Sequence, residues 1–196
     1  MFTPSVNSIA MAVEAKGFKV FRGGPHDLNI VGIRSAAARL DQFDDLITVF
    51  SRHQNQWLYW AFPATTDPGA HYLEHPINEA GTAILAPGQY RGAYRIGKHR
   101  GEYLALVQAR PVTVFRDKNR NRQVDTGQIT ETGLFGLNIH RAAWDGKSTV
   151  VGAWSAGCQV IQSSLDFDIF MAMANAGKAA YGNAFTYTLI EETDLT

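Results

Sequence analysis

The chain has 196 residues, 45% of them hydrophobic, and its 18 basic residues are matched by 18 acidic ones. That length and apolar content support a sizeable core, and 11 Phe, 7 Tyr and 4 Trp beside 18% charged residues exclude a disordered chain. A balanced charge gives no electrostatic footprint for a phosphate backbone or an anionic lipid surface, so nucleic acid is excluded as the expected partner.

From the N-terminus, "SVNSIAMAVEAKGF" places Val6, Ile9, Ala10 and Val13 at helical spacing, with Ser5 as a candidate cap and Gly17 as a stop. "LNIVGIR", "DLITVF", "QWLYWAF" and "TAILA" follow as short runs of branched and aromatic residues between turn signals, which predicts strands. "YRIG" and "EYLALVQA" flank "KHRG" as a hairpin, and "VTVF" leads into the polar loop "RDKNRNRQVDTGQ". Beyond it, "GLFGLNIH" reads as a buried strand ending at His140, and "TVVGAW" as another strand or strand end. "SLDFDIFMAMANAGKAAYG" has a capping start and an apolar stripe at Phe167, Phe170, Met171 and Ala174, a helix expected to stop near Gly177. "AFTYTLIEE" closes the chain as a strand. Many short strands with two good helices predict a mainly β, α+β fold, a sandwich or barrel-like core with flanking helices. One domain is expected over residues 1–196, with a motif region at 134–190 and a β-rich part at 1–110 integral to the fold.

No apolar run approaches the ~20 residues of a bilayer span, so no membrane span is expected. Residues 1–21 lack a basic start, a continuous apolar stretch and a small-residue cleavage site, so no secretion signal is visible unless a leader precedes the numbering.

The chain has one cysteine, Cys158, which excludes an internal disulfide and a multi-cysteine zinc site. Two readings of it stay open on the residues alone. Cysteine is among the most buried residue types and packs as a small hydrophobe. A lone thiol with histidines elsewhere is also the pattern of a nucleophile. Acyl transfer by sulfur needs a base, oxyanion donors and room for a peptide. His140 is placed to be the base, and the N–H groups around Gly157 and Cys158 to be donors. Gly157, lacking Cβ, would let a substrate backbone approach, and Ser155 would fix the turn.

"NIH" at 138–140 followed by "SAGC" at 155–158 resembles the signature of the L,D-transpeptidase catalytic domain, over roughly residues 134–162. The resemblance implies that Cys158 attacks a stem-peptide amide of peptidoglycan with His140 as its base, oriented by a backbone carbonyl, and that Ser155 and Gly157 shape the oxyanion turn. The implied partner is the peptidoglycan stem peptide, and no cofactor is required. Arg141 stands where the family usually has Gly, and Val160 where it usually has Arg; Arg141 is therefore a candidate replacement carboxylate contact. Trp154 and His99 are further candidates for lining the groove, and Arg34 for a substrate contact or a surface charge. An amine acceptor gives transpeptidation; water gives carboxypeptidase or endopeptidase activity. With no leader visible, action on the bacterial wall implies non-classical export or lysis, as for phage lysis enzymes and secreted effectors. The alternatives are such a phage- or effector-type endopeptidase with the same Cys/His site, and a non-enzymatic wall-binding module. Oligomeric state is left open.

"DKNRNRQVD" sets Asp117, Asn119, Asn121 and Asp125 at positions 1, 3, 5 and 9 of a calcium loop, similar to those of excalibur or dockerin modules. Position 6 is Arg122 instead of Gly and position 12 is Gln128 instead of Glu. A structural calcium and a solvated turn are both consistent with it. "HYLEH" at 71–75 has the order of inverted zinc peptidases. Pro68, Gly69 and Pro76 leave barely a turn and a half of helix, so a loop with scattered histidines is the expectation.

Overall fold

Ser5 opens the first helix, α1 (Val6–Ala15), by accepting the Ser8 N–H at 3.1 Å, and Gly17 at φ 76° ends it. The computed structural model describes residues 3–37, 39–126 and 130–195. Ile9, Ala10, Ala12 and Val13 bury one face of α1 on Val31, Ile33, Leu46, Phe50 and Ile190. Strand β1 (Asn29–Arg34) is buried at every residue because Val31 and Ile33 lie under α1 while Ile30 faces the main core. β2 (Asp45–His53) and β3 (Gln56–Thr65) form a hairpin whose two turn residues, Gln54 and Asn55, both take positive φ.

The chain continues through α2 (Ala70–Glu74), β4 (Thr82–Leu85), β5 (Gly88–His99) and β6 (Tyr103–Gln108). Arg100 and Gly101 turn the β5–β6 hairpin with φ of 51° and 78°. After β7 (Val112–Asp117) come β8 (Thr130–Gly133), β9 (Ile139–Arg141), β10 (Gln159–Ile161), α3 (Ser164–Tyr181), β11 (Phe185–Glu191) and a short 3-10 turn at Glu192–Leu195. Eight strands close a barrel in the order β1-β11-β5-β6-β9-β10-β3-β2, and β4-β7-β8 form a separate sheet. The pairs β1–β11 and β9–β10 are parallel, and the other neighbours are antiparallel. The fold is mainly β with flanking helices, as the sequence predicts, and strands from both halves of the chain share the barrel.

Tyr94, Tyr187, Leu106, Ile139 and Leu189 fill the main core, to which α3 adds Phe167, Phe170, Met171 and Ala174. Arg34 is neither a surface charge nor a substrate contact. It is buried, with Nε 2.8 Å from Asp67 Oδ1 and Nη2 donating to the carbonyls of Thr66 and Leu85. Asp45, also buried, accepts from Thr66 and Ser35 beside this pair; burial and the Asp67 charge push its carboxyl up to about 7.

Three local expectations are corrected. Residues 134–138 are not strand, because the N–H groups of Phe135 and Leu137 both donate to Gln108 Oε1 and Gly136 takes φ 73°, looping the chain over one side chain. Residues 149–154 form turns about Gly152, tied down by Val151 N–H to Asp41 O at 3.0 Å. Helix α3 does not stop at Gly177. It runs on to Tyr181 and is closed by Gly182 at φ 90°. Gly177 instead serves close packing, since a Cβ there would sit 3.1 Å from Leu28 Cδ1 and 3.2 Å from His26 O.

Candidate active site

Cys158 stands at the mouth of the parallel β9–β10 pair. Gln159 N–H donates to Asn138 O at 2.9 Å, and Asn138 N–H reaches Cys158 Sγ at 3.4 Å. Cys158 therefore lies opposite Asn138, and His140 is two residues along on the same side of β9 as Asn138. The sulfur also contacts Gly136 O at 3.6 Å. No hydrogen bond joins it to an imidazole among the described residues.

His140 is buried, and its Nδ1–H donates to the carbonyl of Arg141 at 2.8 Å. Because a carbonyl only accepts, this fixes the tautomer and leaves the lone pair on Nε2. His99 stacks on it with centroids 4.1 Å apart and planes 24° off parallel. Asn138 Nδ2 donates to His99 Nδ1 at 3.0 Å, while Asn138 Oδ1 accepts Gln108 N–H at 2.9 Å, so the amide is oriented at both ends. One continuous set of contacts thus runs from Cys158 through Asn138 and His99 to His140.

Two clefts meet at this set. The larger, about 410 Å³, is lined by Cys158, Ala156, Asn138, His99, Arg100 and Arg116, among others. The smaller, about 60 Å³, is lined by His140, Arg141, Tyr103, Trp154 and again His99 and Arg100. Thiol and imidazole thus open into neighbouring clefts that share His99 and Arg100 as a wall. Another cavity of about 350 Å³, at Pro4, Ile33 and Phe43, shares no residue with either.

Burial pushes the His140 imidazole down to about 3, with the His99 ring reinforcing it and the Arg141 carbonyl opposing. The half-buried Cys158 keeps an opening to the large cleft, yet dense surroundings push its thiol up to about 11, against the Asn138 N–H and the Arg100 charge. Both groups are therefore neutral near pH 7, a thiol and an imidazole with no ion pair between them.

The turn before the cysteine is fixed from inside. Ser155 is fully buried; its Oγ donates to Cys158 O at 2.8 Å and accepts Gly157 N–H at 3.2 Å. That uses the Gly157 donor internally and corrects its expected role in an oxyanion hole. The Cys158 N–H donates to no protein group among the described residues. Gly157 takes φ 116°, and a Cβ there would lie 2.1 Å from Ala83 O. The close approach it permits is to strand β4, not to a substrate. Behind the turn, Gln159 Nε2 donates to Gly157 O at 3.2 Å and its Oε1 accepts the Tyr187 hydroxyl at 2.8 Å.

Arg141 is clamped between aromatic rings, 4.3 Å from the centroids of Tyr103 and Trp144, a cation–π arrangement at the smaller cleft. Trp154 is 41% exposed at the same cleft. Val160 is fully buried with Phe43, Ala142 and Val151, so no charge fits its place. Asn138, Gln108, Gln159 and Arg100 escaped sequence reasoning. Asn138 stands inside the "NIH" run, but its side-chain role depends on contacts made across strands.

The loop after β7 gathers Asp117, Asn119, Asn121 and Asp125. Both amide nitrogens donate to Asp125 Oδ2, and Asp125 N–H donates to Asp117 Oδ2 at 3.2 Å. Gln128 lies outside the described residues. His71 lies within the five-residue α2 and His75 caps its C-terminus, with ring centroids 5.5 Å apart. Among the described residues no three His, Cys, Asp or Glu side chains converge on a metal position. Among the described residues no helix is long and apolar enough to cross a membrane. Compared with protein-family models, curated proteins and solved structures, the chain finds no match.

Proposed function

We propose that this protein performs cysteine-dependent acyl transfer or hydrolysis on peptidoglycan stem peptides. The observation that carries the reading is the His140 Nδ1–H bond to the next residue's carbonyl, on the strand paired with the cysteine turn. It fixes a neutral imidazole with Nε2 unprotonated, the form a general base requires. An open cleft with the thiol in its lining and two arginines on its walls supports a carboxylate-bearing peptide as substrate.

Cys158 Sγ attacks the amide carbonyl, and His140 Nε2 takes the thiol proton and returns it to the departing amine. Water or an acceptor amine then releases the acyl group from sulfur. With the thiol at about 11, the thiolate fraction at pH 7 is only ~10⁻⁴, so proton removal accompanies attack and does not precede it. The sulfur must exchange its Gly136 contact for the imidazole on the way.

The absence of a sulfur–imidazole hydrogen bond favours a second reading, a wall-binding module in which Cys158 only packs. Mass spectrometry of muropeptides incubated with wild type, Cys158→Ala and His140→Gln separates the two. Loss of a terminal D-alanine, a split stem or a new crosslink that disappears in both variants supports the enzyme. Unchanged muropeptides that nonetheless retain the protein support the module.

A further inference from the structure

We infer that the loop 117–125 binds one calcium ion through Asp117, Asn119, Asn121 and Asp125. The spacing of these four residues puts oxygen-bearing side chains at alternate positions, and the loop folds on itself. The Asn119 and Asn121 amides donate to Asp125 Oδ2, and the Asp125 N–H donates to Asp117 Oδ2, so a bound ion would take the place of the amide hydrogens at Asp125. A second observation is independent of the spacing. Asp117 is only 2% exposed, its Oδ2 accepts the Asp125 N–H across the loop, and its Oδ1 is buried with no hydrogen-bond partner. A carboxylate oxygen left unpaired in the interior costs several kcal/mol in isolation. A dication in the loop would satisfy it directly.

The donor chemistry selects the ion. Two carboxylates match a double positive charge, and the Asn119 and Asn121 Oδ1 atoms each keep a lone pair beyond the one that accepts a backbone N–H. An all-oxygen set without a soft ligand fits calcium, whose shell of six to eight oxygens accepts backbone carbonyls and water. Magnesium demands a near-ideal octahedron at shorter distances and gives up its waters reluctantly, so the loop is expected to prefer calcium. Arg122, in the position that a calcium loop gives to glycine, already holds the left-handed conformation required there, at φ 63°. Lys118, Arg120 and Arg122 are all exposed, so none of their charges is buried against the ion.

The full chain, treated with EGTA and desalted, is titrated with CaCl₂ by calorimetry and followed by thermal unfolding, with MgCl₂ in parallel. One site per chain is expected, with a midpoint that rises with calcium and rises less with equal magnesium. Asp125→Asn should weaken calcium binding at least tenfold, and Asn121→Ala, at an exposed position, should weaken it while leaving the calcium-free midpoint near that of wild type. No heat and no midpoint shift at millimolar calcium in the folded wild type overturns the inference. So does an equal response to magnesium, or calcium binding undiminished in both variants.

Discussion

Holding His140 neutral has a stability consequence that needs no substrate to measure. In the unfolded chain the imidazole titrates near its ordinary value of about 6.5; in the fold it is pushed down to about 3 by burial. Below pH 6.5 the unfolded state therefore binds a proton that the native state refuses, and native stability falls as pH falls toward 3. The slope is about 1.4 kcal/mol per pH unit, so between pH 6 and pH 4 this one ring costs roughly 2–3 kcal/mol. Other groups titrate in the same window. Asp45, pushed up to about 7, contributes with the opposite sign, since its stabilising effect is present at low pH and lost as pH rises through 7. The measurement is thus a difference. His140→Asn puts an amide N–H at the Nδ1 position, keeps a donor for the Arg141 carbonyl and removes the titration. Urea unfolding of both proteins at pH 6, 5 and 4 should show wild type losing roughly 2–3 kcal/mol relative to the variant. Parallel stability curves would refute the claim that the imidazole is kept neutral by its surroundings.

Gly157→Ala should destabilise by at least about 3 kcal/mol in urea unfolding, because φ 116° is strained for alanine and its Cβ would meet Ala83 O at 2.1 Å. Ser155→Ala leaves the buried turn without its hydroxyl bridge and should cost roughly 2–3 kcal/mol by the same assay, with a faster alkylation of Cys158 as the turn loosens. Arg34→Met strands Asp67 and two carbonyls in the interior; a loss of about 3–5 kcal/mol is expected from chemical denaturation, and a neutral result would show the pair to be dispensable. Iodoacetamide labelling of native wild type should be slow at pH 7 and accelerate toward pH 11; fast labelling at neutral pH would contradict the raised thiol.

The barrel was legible where local chemistry decides structure. Ser5 and Gly17 bracket α1 by capping alone, and the alternating and branched runs of β1 to β3 cannot bury their faces as helices. The segment 134–138 was illegible because its path is decided by Gln108, a side chain some 27 residues away, which takes two backbone donors that a strand neighbour would otherwise hold. Gly177 misled for a related reason. Its lack of a Cβ answers a packing contact with Leu28, and nothing in the local sequence distinguishes that from a helix stop. At the site, the "SAGC" run correctly marked a shaped turn, since Ser155 and Gly157 are both needed to form it. The stacking of His99 on His140 joins two strands that are far apart in sequence, and no spacing rule encodes it. Arg34 followed an apolar strand and looked terminal, but its carboxylate partner lies on the segment after β3.

The parallel pairing of β1 with β11 joins residues more than 150 positions apart, Ile30 beside Tyr187 and Ile33 beside Ile190. β11 also pairs with β5, so it is the stave that seals the seam between them. Until residues 185–191 are in place, β1 and β5 each present a raw edge, and the chain carries an open, aggregation-prone sheet. Closing so large a loop is entropically late, which makes assembly slow.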